Sequence, residues 1–171
     1  MVERLEGIQA PIRDIFYHHV GRIPGELITV NESMVEDTDI DHGAQQLLLE
    51  LSPRTIRGCP LKLYVNRAFC WGRVGRFGRF GLIRYASDSP NSVAEYPDCV
   101  ERVVKAVVYG GVVEEVWRWK GKVVRAMTWI TSDGQKEFLS FHSTRLWLVD
   151  MLLWKQSKET LNYEAYVRQC G

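Results

Sequence analysis

The chain has 171 residues, 46% of them apolar and 25% charged, and a net charge of +1. This is ordinary globular composition, long enough to bury about 68–70% of the unfolded chain's surface without a metal or disulfide staple, and it predicts a single domain over residues 1–171. The N-terminus carries charge from Glu3, and no apolar run has signal-peptide length or approaches the ~18 residues of a membrane span. The expected setting is soluble, and cytoplasmic or otherwise intracellular.

In chain order, Val2, Leu5, Ile8, Ile12, Ile15, Phe16 and His19 follow helical spacing, interrupted at Pro11 so that a second short helix can start there. "GRIPGE" is a turn and "ELITV" a short strand. "NESMVEDTDIDHG", Asn31 to Gly43, is polar and acidic and reads as loop. "AQQLLLELSP" fits a short helix or a buried strand stopped before Pro53. "LKLYVNRAFCW", Leu61 to Trp71, alternates as one strand, and "LIRYA" as another.

Val100, Val103, Val104, Val107 and Val108 trace a helix face, and Gly110-Gly111 stops it. Three strands follow, "VVEEVWRW", "KVVRAMTWIT" and "KEFLSFHS", joined by turns at Lys120-Gly121 and Ser132-Asp133-Gly134. Trp117, Trp119, Met127 and Trp129 share one face of this meander, and rings of that size are expected to fill a core between sheet and helix. A helix through Leu146, Val149 and Leu153 and a short last helix from Leu161 to Arg168 complete the reading. The expected fold class is α+β: an antiparallel sheet that includes the C-terminal three-stranded meander, packed by N-terminal, central and C-terminal helices.

Chemistry is sparse. Cys59, Cys70, Cys99 and Cys170 lie too far apart for a zinc-ligand pair, and are expected to be reduced and partly buried. His18-His19 diverge on a helix. His42 among Asp39 and Asp41 has no ligand spacing, and the cluster of Glu36, Asp37, Asp39 and Asp41 lacks the glycine and glutamate of a calcium loop. Cys70 with His142 as a distant base has no thiol-protease motif around it, and His142-Ser143 lack a nucleophile elbow. Glu114 and Glu115 fall on opposite faces of a strand. No phosphate-binding loop is present. No catalytic residue, cofactor or metal site is assigned.

The charge is unevenly placed. From Ile23 to Pro53 there are seven acids and no Lys or Arg; from Arg54 to Ser87 there are eight bases and no acid. Either the two segments neutralise each other within the fold, or the basic one is an exposed face for an anionic partner. Within it stand three Gly-Arg-apolar triplets, "GRVGRFGRF", Gly72 to Phe80. Glycine every third residue argues against a helix. Two readings remain: an irregular extended segment that aligns the arginines, or a glycine-rich hairpin with solvated arginines and core aromatics.

The interleaved composition resembles a short arginine-glycine-rich RNA-binding segment over about ten residues. "GRFGLIRY" matches only part of the RNP1 signature of the RNA-recognition motif, and its spacing to "LYVN" excludes that fold. The expectation is a non-enzymatic protein that binds RNA or single-stranded DNA through Arg67, Trp71, Arg73, Arg76, Phe77, Arg79, Phe80 and Arg84, with an accessory or matrix-type role and self-association. An anionic membrane surface or an acidic protein would suit the same charge. Two alternatives stand beside it: a pocket protein or small enzyme using the Trp-lined sheet, and a protein-interaction module in which acidic and basic segments of neighbouring copies pair as a homo-oligomer.

Overall fold

The computed structural model describes residues 7–36, 45–66, 69–83, 95–143 and 157–167. Within them are two helices and nine strands in two antiparallel sheets. The expected frame of N-terminal, central and C-terminal helices is therefore corrected: the protein is mostly antiparallel sheet, and among the described residues no helix follows the one at Glu95–Val108.

Helix α1 (Gln9–Val20) is a single helix, because Pro11 lies in its first turn, where a missing N–H costs nothing. Ile12, Phe16 and Val20 are buried along one stripe of it. Strands β1 (Ile28–Glu36), β2 (Gln45–Pro53), β3 (Leu61–Val65), β4 (Phe69–Val74) and β5 (Gly78–Ile83) form the first sheet in that order. Leu47, Leu49, Leu51, Leu61, Leu63 and Val65 turn inward; Leu48, Glu50, Lys62 and Tyr64 alternate outward.

Helix α2 (Glu95–Val108) buries the five valines of its apolar face and ends before Gly110, whose φ is +81°. Strands β6 (Val112–Trp119), β7 (Lys122–Ser132), β8 (Gln135–Ser143) and β9 (Ser157–Asn162) make the second sheet, ordered β8-β7-β6-β9. Both predicted turns of the meander are present, with Lys120, Gly121, Asp133 and Gly134 at positive φ. One apolar core joins α1, α2, the inner face of the first sheet, and Val112 and Ile130 of the second.

Three further expectations change. Asn31 to Glu36 is strand rather than loop: it pairs with β2 as far as Glu36↔Gln45. Its acids belong to an edge strand, where charge discourages pairing with other chains. Leu61 to Trp71 is not one strand, because Asn66 closes a hairpin, its side chain accepting from the Phe69 N–H at 2.8 Å. Leu161 and Asn162 end β9, and the chain beyond is pinned irregularly: the Tyr166 N–H donates to Val108 O (2.9 Å) and the Tyr166 hydroxyl to Cys59 O (2.9 Å). The predicted helix through Leu146, Val149 and Leu153 lies outside the described residues.

Cys59 and Cys70 are buried free thiols; burial pushes Cys70 up to about 12 and raises Cys59 as well. Among the described residues no helix is long and apolar enough to cross a membrane.

The two helices also meet through a titratable contact. His19, 4% exposed, places Nε2 3.2 Å from Glu101, and its Nδ1 has no partner. Burial lowers its pKa below the usual 6.5, an effect that Glu101 partly offsets. A histidine held neutral in the folded state contributes stability above its unfolded pKa and loses it as pH falls through the folded one. Glu101, itself held below 4.5, responds only at lower pH. We expect the urea midpoint to fall between about pH 7 and pH 5, and the fall to be smaller in His19→Gln. Equal pH profiles for the two proteins would remove His19 as the cause.

Candidate functional site

The Gly-Arg-apolar triplets fold as a hairpin, the second of the two readings above. The register sets Gly72 against Phe80, Arg73 against Arg79 and Val74 against Gly78, with Gly75–Phe77 as the turn. A period of three across a three-residue turn thus places two arginines directly opposite one another and leaves Arg76 at the tip.

The glycines answer to packing. Gly75 adopts φ +66°, and a Cβ there would lie 2.8 Å from the Glu114 carboxylate. A Cβ on Gly72 would lie 2.5 Å from Lys62 O and 2.7 Å from the Phe80 ring; on Gly78 it would meet Val74 O and Thr128. The tip closes around Glu114 of β6, which is 0% exposed. The N–H groups of Arg76 (3.1 Å), Phe77 (2.7 Å) and Gly78 (3.0 Å) donate to its two oxygens, joined by the hydroxyls of Tyr163 (2.6 Å) and Thr128 (3.3 Å). This is an anion nest occupied by the protein's own side chain, and it fastens the first sheet to the second. The Tyr163 hydroxyl is pushed upward in pKa by burial and by Glu114. Glu114 is saturated with donors and has no solvent access, so it anchors structure. Its sequence signal was a charged residue in the inward set Val112, Glu114, Val116. Glu115 faces outward as expected and pairs with Lys158 at 2.7 Å.

Arg73, Arg76 and Arg79 are exposed and make no ion pair among the described residues. No described acid of the acidic segment pairs with them. Glu32 pairs with Arg13 (2.8 Å), and among the described residues only Glu50, with Lys62 (2.8 Å), reaches into the basic segment. Arg57 is taken by Glu164 (2.6 Å). Glu50, Lys62, Arg73 and Arg79 form one cross-strand row on the outer face of the first sheet, and its β4–β5 end has no paired acid among the described residues.

Trp71 lies on that same outer face, one step along β4. It stacks on Tyr64 of β3 with ring centroids 3.9 Å apart and planes 6° from parallel. Its neighbour on β5 is Gly81, where a Cβ would meet nothing within 4 Å. The sequence reading missed Tyr64, because its partnership with Trp71 depends on the hairpin register. Phe80 turns inward against Gly72 and the core, and is not a free stacking ring. Phe77 is partly buried at the tip. Arg67 and Arg84 lie outside the described residues, as do His42 and Asp37 to Asp41.

The tryptophan-rich meander also departs from expectation. Trp117, Met127 and Trp129 do share a sheet face, but it is the outer one; Val112, Val116, Ala126 and Ile130 fill the inner face. Cations cover these rings in place of a core. Arg125 lies 4.5 Å from the Trp117 centroid and 5.3 Å from that of Phe141; Lys136 lies 4.8 Å from Trp129 and Lys158 5.2 Å from Trp117. Trp119, at the hairpin end, is capped by Lys120 at 4.5 Å.

Two cavities, of about 360 and 320 Å³, open elsewhere. One lies between Tyr109, Thr131 and Asp133, the other between Ile56, Arg76 and Asn162. Neither is lined by Trp117, Trp119 or Trp129, so neither provides the pocket that the alternative reading requires. Cys70, buried with its thiol pushed up to about 12, is no nucleophile. No cluster of metal-ligating side chains occurs among the described residues. Neither a protein-family model, nor a curated protein, nor a solved structure matches the chain.

Proposed function

We propose that the chain is a non-enzymatic binding protein that engages an anionic partner, single-stranded RNA or DNA first, across the outer face of β3, β4 and β5. One observation carries this reading. Arg73 and Arg79 stand directly opposite each other, exposed and without an acid partner among the described residues, beside a stacked Tyr64–Trp71 pair on the same face. Like charges at directly opposed positions destabilise a sheet by a few tenths of a kcal/mol to about 1 kcal/mol. Nothing within the described fold offsets that cost, whereas a polyanion would. Arginine suits two-pronged phosphate contacts, and a ring already held flat by a neighbour can accept a base without further ordering. Arg76 adds charge from the tip. Phosphate contacts of this kind bind strands with little base readout, and the compartment is an intracellular one.

The test is fluorescence anisotropy of labelled single-stranded RNA at several salt concentrations, with Arg73→Ala/Arg79→Ala beside the wild type. Each phosphate contact contributes about 0.7 to the slope of log affinity against log salt for a single strand. The double variant is expected to bind at least about tenfold more weakly, with a slope shallower by about 1.4, and to melt no lower than the wild type because a repulsion has been removed. Equal affinity and equal slope in the two proteins would end the reading.

A further inference from the structure

We propose that the outer face of the second sheet is a second contact surface for the same single strand, continuing the first across the seam between β5 and β8. This rests on the reading above and extends it from a charged hairpin to a path with an aromatic far end.

Three observations support it. The first is continuity. The Arg79 N–H of β5 donates to Ser140 Oγ of β8 at 3.1 Å, so the strand carrying Arg79 abuts the strand carrying Phe138 and Phe141. The second is exposure. Phe138 is 50% and Phe141 48% exposed, on a face where apolar rings gain nothing from the core. Register places Phe141 beside Met127 and Phe138 beside Trp129, so the two rings lead a continuous apolar patch. The third is charge. Arg125, Lys136 and Lys158 all lie over rings of this face, and its acid among the described residues, Glu115, is engaged by Lys158.

A face of exposed rings set among cations complements a ligand that alternates planar apolar groups with negative charge, which describes a single-stranded nucleic acid. The same charge argues against a symmetric second copy, which would bring one cationic face against another. The path from Trp71 on β4, across β5 and β8, to Arg125 on β7 spans three strand spacings, at least about 15 Å. Only a ligand of several nucleotides reaches across it.

The experiment compares labelled oligouridylates of about four and about sixteen nucleotides on the wild type, Phe138→Ala/Phe141→Ala, Phe138→Tyr/Phe141→Tyr and Arg73→Ala/Arg79→Ala. All four proteins are checked for an unchanged melting transition. The expected result is that the alanine pair lowers affinity for the long strand roughly tenfold or more, leaves the short one unchanged, and is rescued by the tyrosine pair, while the arginine pair weakens both. If the alanine pair binds the long strand like wild type while the arginine pair weakens both, the extension is wrong and the hairpin reading stands. If only the alanine pair matters, the hairpin reading falls and the continuous path falls with it. If the wild type binds neither strand and self-associates through Phe138 and Phe141, both are overturned in favour of a protein interface.

Discussion

Glu114→Ala is expected to destabilise the protein by about 4 kcal/mol, well beyond the ~1 kcal/mol of an average substitution. The carboxylate accepts from three backbone N–H groups and two hydroxyls at a fully buried position. Each donor left unsatisfied there costs about 1–3 kcal/mol, and collapse around the truncated side chain recovers only part of it. For a chain of this length, about 4 kcal/mol lowers the melting temperature by roughly 10 °C. Glu114→Gln retains one acceptor oxygen but turns an NH₂ toward the tip, so an intermediate loss is expected. Tyr163→Phe removes one donor to Glu114 and one acceptor for the Arg76 N–H, at about 1 kcal/mol. Urea unfolding of the three variants checks the order. A loss under 1 kcal/mol for the alanine variant would mean that the hairpin tip does not depend on this carboxylate.

The second large effect separates the glycines of the hairpin. Gly75→Ala forces a side chain into φ +66°, which costs about 1–2 kcal/mol, and sets its Cβ 2.8 Å from a carboxylate held by other donors. Gly72→Ala drives a Cβ to 2.5 Å from the Lys62 carbonyl, backbone of a paired strand that cannot shift alone. Each is expected to lose about 3 kcal/mol. Gly81→Ala meets open space at an ordinary φ, so its stability should stay within about 0.5 kcal/mol of wild type. Thermal melts of the three single variants decide the matter. Equal melting temperatures would show that the repeat is compositional and the packing incidental.

The legible parts of this fold were those where local signals suffice. The valine face of α2 and the β6–β8 meander carry strong periods, bounded by glycine or by a tight turn. The polar half of β1 was not legible, because an edge strand can be as hydrophilic as a loop and only its partner β2 gives it order. The C-terminal segment was misread as helix because its conformation is set from a distance, by the β6 ladder and the Tyr163 and Tyr166 hydroxyls. At the candidate site, the arginines and the charge asymmetry were visible as composition. Opposing Arg73 to Arg79 and stacking Tyr64 on Trp71 required register, which a period of three does not announce. The tryptophans of the second sheet were assigned to a core by their size; the cations that let them face outward come from neighbouring strands and positions.

The nest around Glu114 also ties the hairpin to a residue made after it. The amides of Arg76, Phe77 and Gly78 find their acceptor 38, 37 and 36 residues further along the chain. The β4–β5 hairpin emerges first in synthesis, but its tip has no acceptor for these amides until β6 arrives. The face built by Arg73 and Arg79 therefore takes its final shape only after the second sheet has begun to form. The basic half of the molecule is completed by the half made after it.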